Sequence, residues 1–117
     1  HIHLVSDSMR AAGTSLRESY LGKKIFENRV IIEDNVAKLP DKSSFAGSIA
    51  TGDYMFKTAV ADYRISITDA VKMLSSTPAS MLKLSDVGEI APGKKADILI
   101  FNKDLIIEHT ILGGIIL

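Results

Sequence analysis

An apolar run that stops at a carboxylate is the feature that most constrains this chain. Residues 3–13 read HLVSDSMRAAG, so a short apolar stretch ends at Asp7 and small residues leading to Gly13 follow. Such a run is typical of a buried parallel strand. In α/β barrels and open α/β sheets, the chemistry sits at the carboxyl ends of the strands. We therefore expect a strand over residues 2–6 and a catalytic role for Asp7, with a turn or a helix cap as the alternative for this aspartate.

The length and composition of the chain limit the classes of protein to which it can belong. A chain of 117 residues can form one domain, but a complete α/β barrel needs roughly 250 residues, so barrel sequence here would be a piece of one. The 14 basic and 14 acidic residues cancel without a block of like charge, which disfavours nucleic acid and anionic membranes as partners. The absence of cysteine excludes disulfides and thiolate metal sites. With no apolar stretch near ~20 residues and no signal-peptide layout, we expect a cytoplasmic protein, and a start inside a predicted strand suggests a fragment or a processed product.

A small sheet is predicted in the first half of the chain. Residues 8–20 are predicted to be a loop. Short β-branched runs at 24–27, 29–33 and 36–39 are separated by Asn and Asp. This pattern predicts a small antiparallel meander.

The middle of the chain is predicted to be helical. Apolar residues at helical spacing predict a first helix over 51–62. Ser66, followed three residues later by Asp69, resembles a capping box and predicts the start of a second helix. Thr77, as an N-cap before a proline, predicts a short third helix over 79–84. Three large side chains of these helices are expected in the core: Met73, Met81 and Leu82.

The tail is predicted to form a separate sheet, from strands at 98–101 and 106–117 that are interrupted at two glycines. His109 lies alone among apolar residues and is interpreted as structural.

His1 and His3 share one face of the predicted strand, a spacing common in zinc sites. Asp7 would lie roughly 13 Å from His3 along a strand, whereas each ligand must be within about 2.2 Å of the metal. We interpret the pair as surface histidines rather than ligands.

Five short segments, taken together, resemble one enzyme family. Residues 4–13 (LVSDSMRAAG), 21–24 (LGKK), 45–48 (FAGS), 77–79 (TPA) and 88–98 (GEIAPGKKADI) are similar to the carboxy-terminal third of the N-acetylglucosamine-6-phosphate deacetylases. The last two segments are similar to many metal-dependent amidohydrolases. The aspartate loop and FAGS point to the deacetylases.

The resemblance implies an α/β fold in two parts. Residues 1–84 would be the end of a (β/α)8 catalytic barrel, its last strand and closing helices, with a β-meander insertion at 20–40. Residues 85–117 would be the carboxy-terminal part of a small β-sandwich domain. Asp7 matches the family's catalytic acid/base. The segment that matches the lining of the sugar site consists of Phe45, Ala46 and Gly47.

The activity that the resemblance implies is hydrolysis of N-acetylglucosamine 6-phosphate to glucosamine 6-phosphate and acetate. A divalent metal ion (zinc, iron or similar) makes bound water acidic, and the aspartate takes its proton and returns it to the leaving amine. The metal ligands are expected upstream of residue 1, so we expect this chain alone to bind no catalytic metal and to be inactive. The implied partners are a small amino-sugar phosphate and copies of the chain in a homo-oligomer, a dimer or a tetramer. The alternatives are another amidohydrolase, dihydroorotase-like or aminoacylase-like, and a non-catalytic interaction module.

Overall fold

The fold is mixed α/β with two small antiparallel sheets. The computed structural model describes residues 2–117, and each of its sheets has three strands. The chain forms two compact units, which are Val5–Met55 and residues 2–4 together with Phe56–Leu117. Within the described residues, none of the helices has both the length and the apolar character needed to cross a membrane.

The sheet of the unit Val5–Met55 is a meander of β1 (Glu18–Tyr20), β2 (Arg29–Glu33) and β3 (Val36–Lys38). Its centre is Val30, which is fully buried. Asp34 and Asn35 connect β2 to β3 with φ values of 52° and 60°, as a two-residue hairpin turn requires. The predicted strands at 29–33 and 36–39 are therefore confirmed.

The first strand of the meander was predicted in the wrong place. A 3-10 helix at Phe26–Asn28 occupies the second half of the run predicted as a strand, and β1 lies in the segment predicted as a loop. The Leu21 N–H donates to the Asn28 carbonyl at 2.8 Å, which closes residues 21–28 into a loop. This closure leaves β1 to pair with β2, with Glu18 opposite Ile31.

The predicted strand over residues 2–6 is also wrong. Residues 2–7 have no strand structure, and Ser8 makes only an isolated parallel bridge with Ser48. The Leu4 N–H donates to the Met73 carbonyl at 3.1 Å, at the end of a helix. A strand exists only where a neighbour pairs with its backbone, and no strand among residues 2–117 pairs with this run. The interpretation of His1 lies outside the described residues.

Two of the three predicted helices are confirmed, as α1 (Gly52–Ala61) and α2 (Ile67–Leu74). Ser66 Oγ accepts from the Asp69 N–H at 3.1 Å and donates to the Asp69 carboxylate at 2.7 Å. The residue at the N-cap therefore has the side-chain bond that the capping box predicted.

The third helix, α3 (Ser76–Met81), begins earlier than predicted. Ser75 rather than Thr77 precedes it. The Ser75 N–H closes α2 onto the Val71 carbonyl at 2.9 Å, and the Ala79 N–H donates to the Ser75 carbonyl at 3.1 Å. Because Ser75 both follows α2 and precedes α3, the third helix does not begin with Thr77 as its N-cap, as the sequence suggested.

Small residues form the core of the helices. The buried members are alanines: Ala59, Ala70 and Ala79. Met81 and Leu82 are 58% and 71% exposed, so the prediction that they lie in the core is wrong, whereas Met73 is partly buried. The helix α3 is six residues long and buries only the face that carries Ala79.

The tail forms the predicted second sheet, with β4 (Ile98–Phe101), β5 (Ile107–Leu112) and β6 (Ile115–Ile116) in that order. Gly113 and Gly114 make the turn between β5 and β6 with φ values of 57° and 86°. The ring of Phe56 on α1 lies 5.0 Å from the ring of Phe101 on β4, which packs the helix against this sheet. His109 is exposed on β5, opposite Ile100.

Candidate active site

The loop that contains Asp7 is held by short-range backbone bonds. Asp7 is exposed and has a φ of 48°, a left-handed conformation that aspartate tolerates better than most residues. The Ala12 N–H donates to the Met9 carbonyl at 3.0 Å, and the Thr14 N–H donates to the Ala11 carbonyl at 3.1 Å. Ala11 is buried and anchors this turn. The loop therefore presents the carboxylate to solvent from an ordered backbone.

The segment with Phe45, Ala46 and Gly47 extends from the edge of the meander. The Ala46 N–H donates to the Ala37 carbonyl at 2.9 Å, and Phe45 makes an antiparallel bridge with Lys38. Alternation along this extended segment points neighbouring side chains in opposite directions. Ala46 is accordingly buried, whereas Phe45 is 74% exposed.

The Asp7 loop and the 45–48 segment are joined directly by backbone hydrogen bonds. The Ser48 N–H donates to the Asp7 carbonyl at 3.2 Å, and the Met9 N–H donates to the Ser48 carbonyl at 2.8 Å. The Ser8 hydroxyl also donates to the Ala50 carbonyl. Two segments that lie about forty residues apart in the sequence are therefore bonded side by side.

Gly47 is required where these segments meet. Its φ is 76°, and a Cβ atom there would lie 3.3 Å from Leu21 Cδ2, 3.7 Å from Met9 Cβ and 4.0 Å from the Asp7 carbonyl oxygen. Only glycine adopts this conformation without strain. A side chain at position 47 would therefore be strained by its φ and would need Leu21 to shift by a few tenths of an ångström.

Two contacts beside Gly47 were not predicted from the sequence. The Leu21 side chain packs against Gly47, and the Arg10 guanidinium donates to the Gly22 carbonyl. Both residues lie in segments that carry the resemblance, but nothing in their spacing assigns them a role. Gly22, with its φ of 69°, is the one local signal for a tight turn there.

A shallow concavity of about 400 Å³ lies beside Phe45. Its wall is close to neutral, because the Nζ atoms of Lys38 and Lys42 lie 3.1 and 3.0 Å from Glu33 Oε1 and Lys38 Nζ also lies 3.1 Å from Asp34 Oδ2. Hydrogen bonds from Lys42 and Lys38 hold the pKa of the Glu33 carboxyl below its ordinary value. The residues that line the concavity are Lys38, Lys42, Ser43, Ser44 and Phe45.

Metal binding needs several ligands at one point. Across residues 2–117, no three His, Cys, Asp or Glu side chains come close enough to hold an ion. Structural and catalytic zinc sites use at least three protein ligands, so Asp7 does not belong to a complete metal site within the described chain. What this part of the molecule offers chemically is an exposed carboxylate that can accept and return a proton.

Comparison with known proteins identifies the family. The model of the amidohydrolase family matches residues 2–117. The N-acetylglucosamine-6-phosphate deacetylase of Lysinibacillus sphaericus is 33% identical over 113 residues, which are 97% of this chain and 28% of that protein. The N-acetylgalactosamine-6-phosphate deacetylase of Shewanella sp. (strain ANA-3) is 29% identical over 97 residues, which are 83% of this chain and 23% of that protein.

A solved structure agrees with these sequence relatives. A mutant of the N-acetyl-D-glucosamine-6-phosphate deacetylase from Mycobacterium smegmatis, in complex with N-acetyl-D-glucosamine-6-phosphate, matches with a TM-score of 0.82 and 28% identity, over 97% of this chain and 30% of that chain. The chain therefore spans less than a third of the length of each of these three proteins. The resemblance to the N-acetylglucosamine-6-phosphate deacetylases is confirmed, and the chain belongs to the amidohydrolase family.

Proposed function

We propose that this chain is the carboxy-terminal part of an N-acetylglucosamine-6-phosphate deacetylase, which hydrolyses N-acetylglucosamine 6-phosphate to glucosamine 6-phosphate and acetate. The relatives with that name support the substrate class. The observation that carries the proposal is the pair of backbone bonds between Asp7, Met9 and Ser48. These bonds join the backbone of the loop that carries the exposed Asp7 to the segment that carries Gly47.

Asp7 is proposed to be the acid/base of the reaction. Its carboxylate would accept a proton from the attacking water and return it to the nitrogen of the departing amine. Exposure of Asp7 supports this role, because the group must reach both water and substrate. The fixed backbone of residues 7–14 supports it as well, because general acid–base catalysis requires the base within hydrogen-bond reach of the proton.

Phe45, Ala46 and Gly47 are proposed to line the sugar site. Phe45 is exposed and can offer an aromatic face to a sugar ring, while Ala46 anchors the segment in the meander through its bond to Ala37. Gly47 lets a ligand come close to the backbone.

The proposed reaction also requires a divalent metal ion, zinc, iron or similar, which when bound makes water acidic enough to attack an amide. The described residues do not gather a set of ligands for it. We propose that the ligands lie upstream in the whole protein. The chain alone is accordingly expected to bind no catalytic metal through Asp7 and to have no deacetylase activity.

The proposed architecture places residues 1–84 at the end of a (β/α)8 barrel, with the meander as an insertion, and residues 85–117 in a small β-sandwich domain. The match to a solved deacetylase structure, with a TM-score of 0.82 over 97% of this chain and 30% of that chain, supports the proposal that the chain is part of a larger fold. We further propose that the whole protein is a cytoplasmic homo-oligomer, a dimer or a tetramer, that acts on a small amino-sugar phosphate.

A second candidate substrate is the epimer N-acetylgalactosamine 6-phosphate, which is favoured by the 29% identity to the deacetylase named for that sugar. The two sugars differ in one hydroxyl configuration. Another amidohydrolase, dihydroorotase-like or aminoacylase-like, and a non-catalytic interaction module are the remaining alternatives.

The test uses the full-length protein that contains this chain, assayed on both sugar phosphates and on unrelated amides. Asp7→Asn should keep metal content and much of the substrate affinity but lose turnover by about 10²–10⁴-fold, because asparagine fills the same space and cannot accept the proton. The exposed Asp62 provides the control, and Asp62→Asn should retain wild-type turnover. Turnover near the wild-type value in Asp7→Asn would remove Asp7 from the mechanism.

A further inference from the structure

We propose that Arg10 and Leu21 are positioning residues that hold the substrate segment in place, in addition to the backbone bonds of Ser48 with Asp7 and Met9. The inference rests on the proposed function, since it gives these residues a role in shaping the same site. It concerns contacts within the unit Val5–Met55 alone.

Leu21 is the side chain nearest to Gly47. A Cβ on Gly47 would lie 3.3 Å from Leu21 Cδ2, so the leucine methyl group lies beside the position that a side chain on Gly47 would occupy. Asp7 and Met9 contact the same glycine from their own loop. Atoms of the Asp7 loop and of Leu21 therefore both lie around the position that a side chain on Gly47 would occupy.

The position of Leu21 depends on the loop of residues 21–28. Its N–H donates to the Asn28 carbonyl at 2.8 Å, and Asn28 Nδ2 donates to the Lys23 carbonyl at 3.2 Å. These bonds lie within the loop itself and do not tie it to the active-site residues. The bond from the Arg10 guanidinium to the Gly22 carbonyl is the polar contact that links this loop to the Asp7 loop.

The chemistry of this link favours a positioning role. Arg10 donates to a neutral carbonyl, next to the exposed cations Lys23 and Lys24, so charge attraction does not bring the loop to the arginine. A planar guanidinium instead fixes the direction of the carbonyl that it binds. Loss of Arg10 would release the 21–22 turn and, with it, the Leu21 methyl group from Gly47.

The geometry predicts which kinetic parameter should change. The bonds of Ser48 to Asp7 and Met9 involve backbone atoms only, so they survive substitution of Arg10. The acid/base would keep its place while the wall formed by Gly47 loosens. The effect should therefore appear in substrate binding more than in turnover.

The experiment uses the full-length protein with Arg10→Met, Arg10→Lys and Leu21→Ala. Arg10→Met and Leu21→Ala should each raise KM for N-acetylglucosamine 6-phosphate roughly three- to tenfold, the range for loss of one hydrogen bond or one packing contact, with kcat within about twofold. Arg10→Lys keeps a cationic donor and should recover part of the loss. The matched control is Arg17→Met, which should leave KM unchanged. Arg17 is exposed, and its backbone carbonyl, which accepts from the Ile32 N–H, is retained in the variant.

A second measurement does not depend on activity. Lys23 and Lys24 are exposed in the turn that Arg10 holds, so a lysine-specific protease should cut there several-fold faster in native Arg10→Met than in the wild type or in Arg17→Met. Unchanged KM together with unchanged cleavage would overturn the inference. A wild-type protein that does not hydrolyse the sugar phosphate would refute the proposed function, and the cleavage rates would still decide whether Arg10 holds the turn.

Discussion

Replacement of Gly47 by alanine should reveal how tightly the proposed substrate segment is held. An L-residue in the left-handed region costs roughly 1–2 kcal/mol, and Gly47 has a φ of 76°. The new methyl group would also lie 3.3 Å from Leu21 Cδ2, which adds about 1 kcal/mol at the low end of overpacking costs. We expect Gly47→Ala to lower the free energy of unfolding by about 2–3 kcal/mol and to raise KM. Gly47→Val should lose more, because a β-branched residue is a greater outlier at positive φ.

The matched control is Gly22→Ala in the same unit. Gly22 has a φ of 69° and open space where its Cβ would lie, so it should show the conformational cost of about 1–2 kcal/mol alone. Denaturant unfolding of the full-length variants, with the m-value checked, measures the difference. Leu21→Ala combined with Gly47→Ala should recover the part of the loss that is due to contact. Equal stability losses in Gly47→Ala and Gly22→Ala would refute the reasoning about the contact, and an unchanged KM in Gly47→Ala would refute the reasoning about the binding segment.

Three further predictions concern the rest of the chain. In thermal unfolding, Gly88→Ala should destabilise the protein by about 2–4 kcal/mol, because its Cβ would lie 2.6 Å from Ala79 Cβ at a φ of 95°. The control Gly93→Ala, at a φ of 83° with open space around the Cβ position, should lose only about 1–2 kcal/mol. Equal losses in the two variants would contradict a contact between residue 88 and Ala79. Ser66→Ala should lower the free energy of unfolding by about 0.5–2 kcal/mol through loss of the bond to the Asp69 N–H. The control Ser80→Ala, at an exposed position, should leave it unchanged. If neither variant loses stability, the N-cap bond of Ser66 contributes nothing. The pKa of Glu33 is lowered by Lys42 and Lys38, so the ionised carboxylate stabilises the fold above its ordinary pKa of 4.5, and this stabilisation is lost as pH falls through the lower folded value. Glu33→Gln should therefore slightly flatten the acid side of a plot of unfolding free energy against pH. An unchanged slope there would contradict a stabilising role for the Glu33 carboxylate.

Local signals in the sequence were sufficient for the elements that depend on local chemistry. The second helix was predicted because Ser66 and Asp69 make their bonds within the first turn. The interruption of the tail strands was predicted at Gly113 and Gly114, and these two glycines supply the positive φ values that a two-residue turn needs. Neither feature requires a distant residue, so neither can be overridden easily by packing.

The errors occurred where a distant partner decides the structure. The run at 24–27 has strand composition, but the bond from Leu21 to Asn28 closes it into a loop, and Glu18–Tyr20 pairs with β2 instead. The run at 2–6 has the composition of a buried strand but finds no strand partner in the described chain. Strand propensity reports how well a residue fits a sheet, and it does not say which backbone will lie beside it.

The proposed active site falls between these two cases. Its segments were chosen from the sequence by the family resemblance, and Asp7 also by its place after an apolar run. In the structure Asp7 has a φ of 48° and Gly47 a φ of 76°, angles that few residues adopt. The contacts that join them use backbone groups of Asp7, Met9 and Ser48, which every residue possesses, so no side-chain pattern could have indicated which segments meet. Arg10 and Leu21 escaped prediction for the same reason, since one donates to a carbonyl and the other packs on a glycine. For a site assembled by backbone contacts, the sequence can therefore indicate residues with unusual backbone angles, such as Asp7 and Gly47. The residues proposed to hold the site in place, Arg10 and Leu21, can be identified only from the structure.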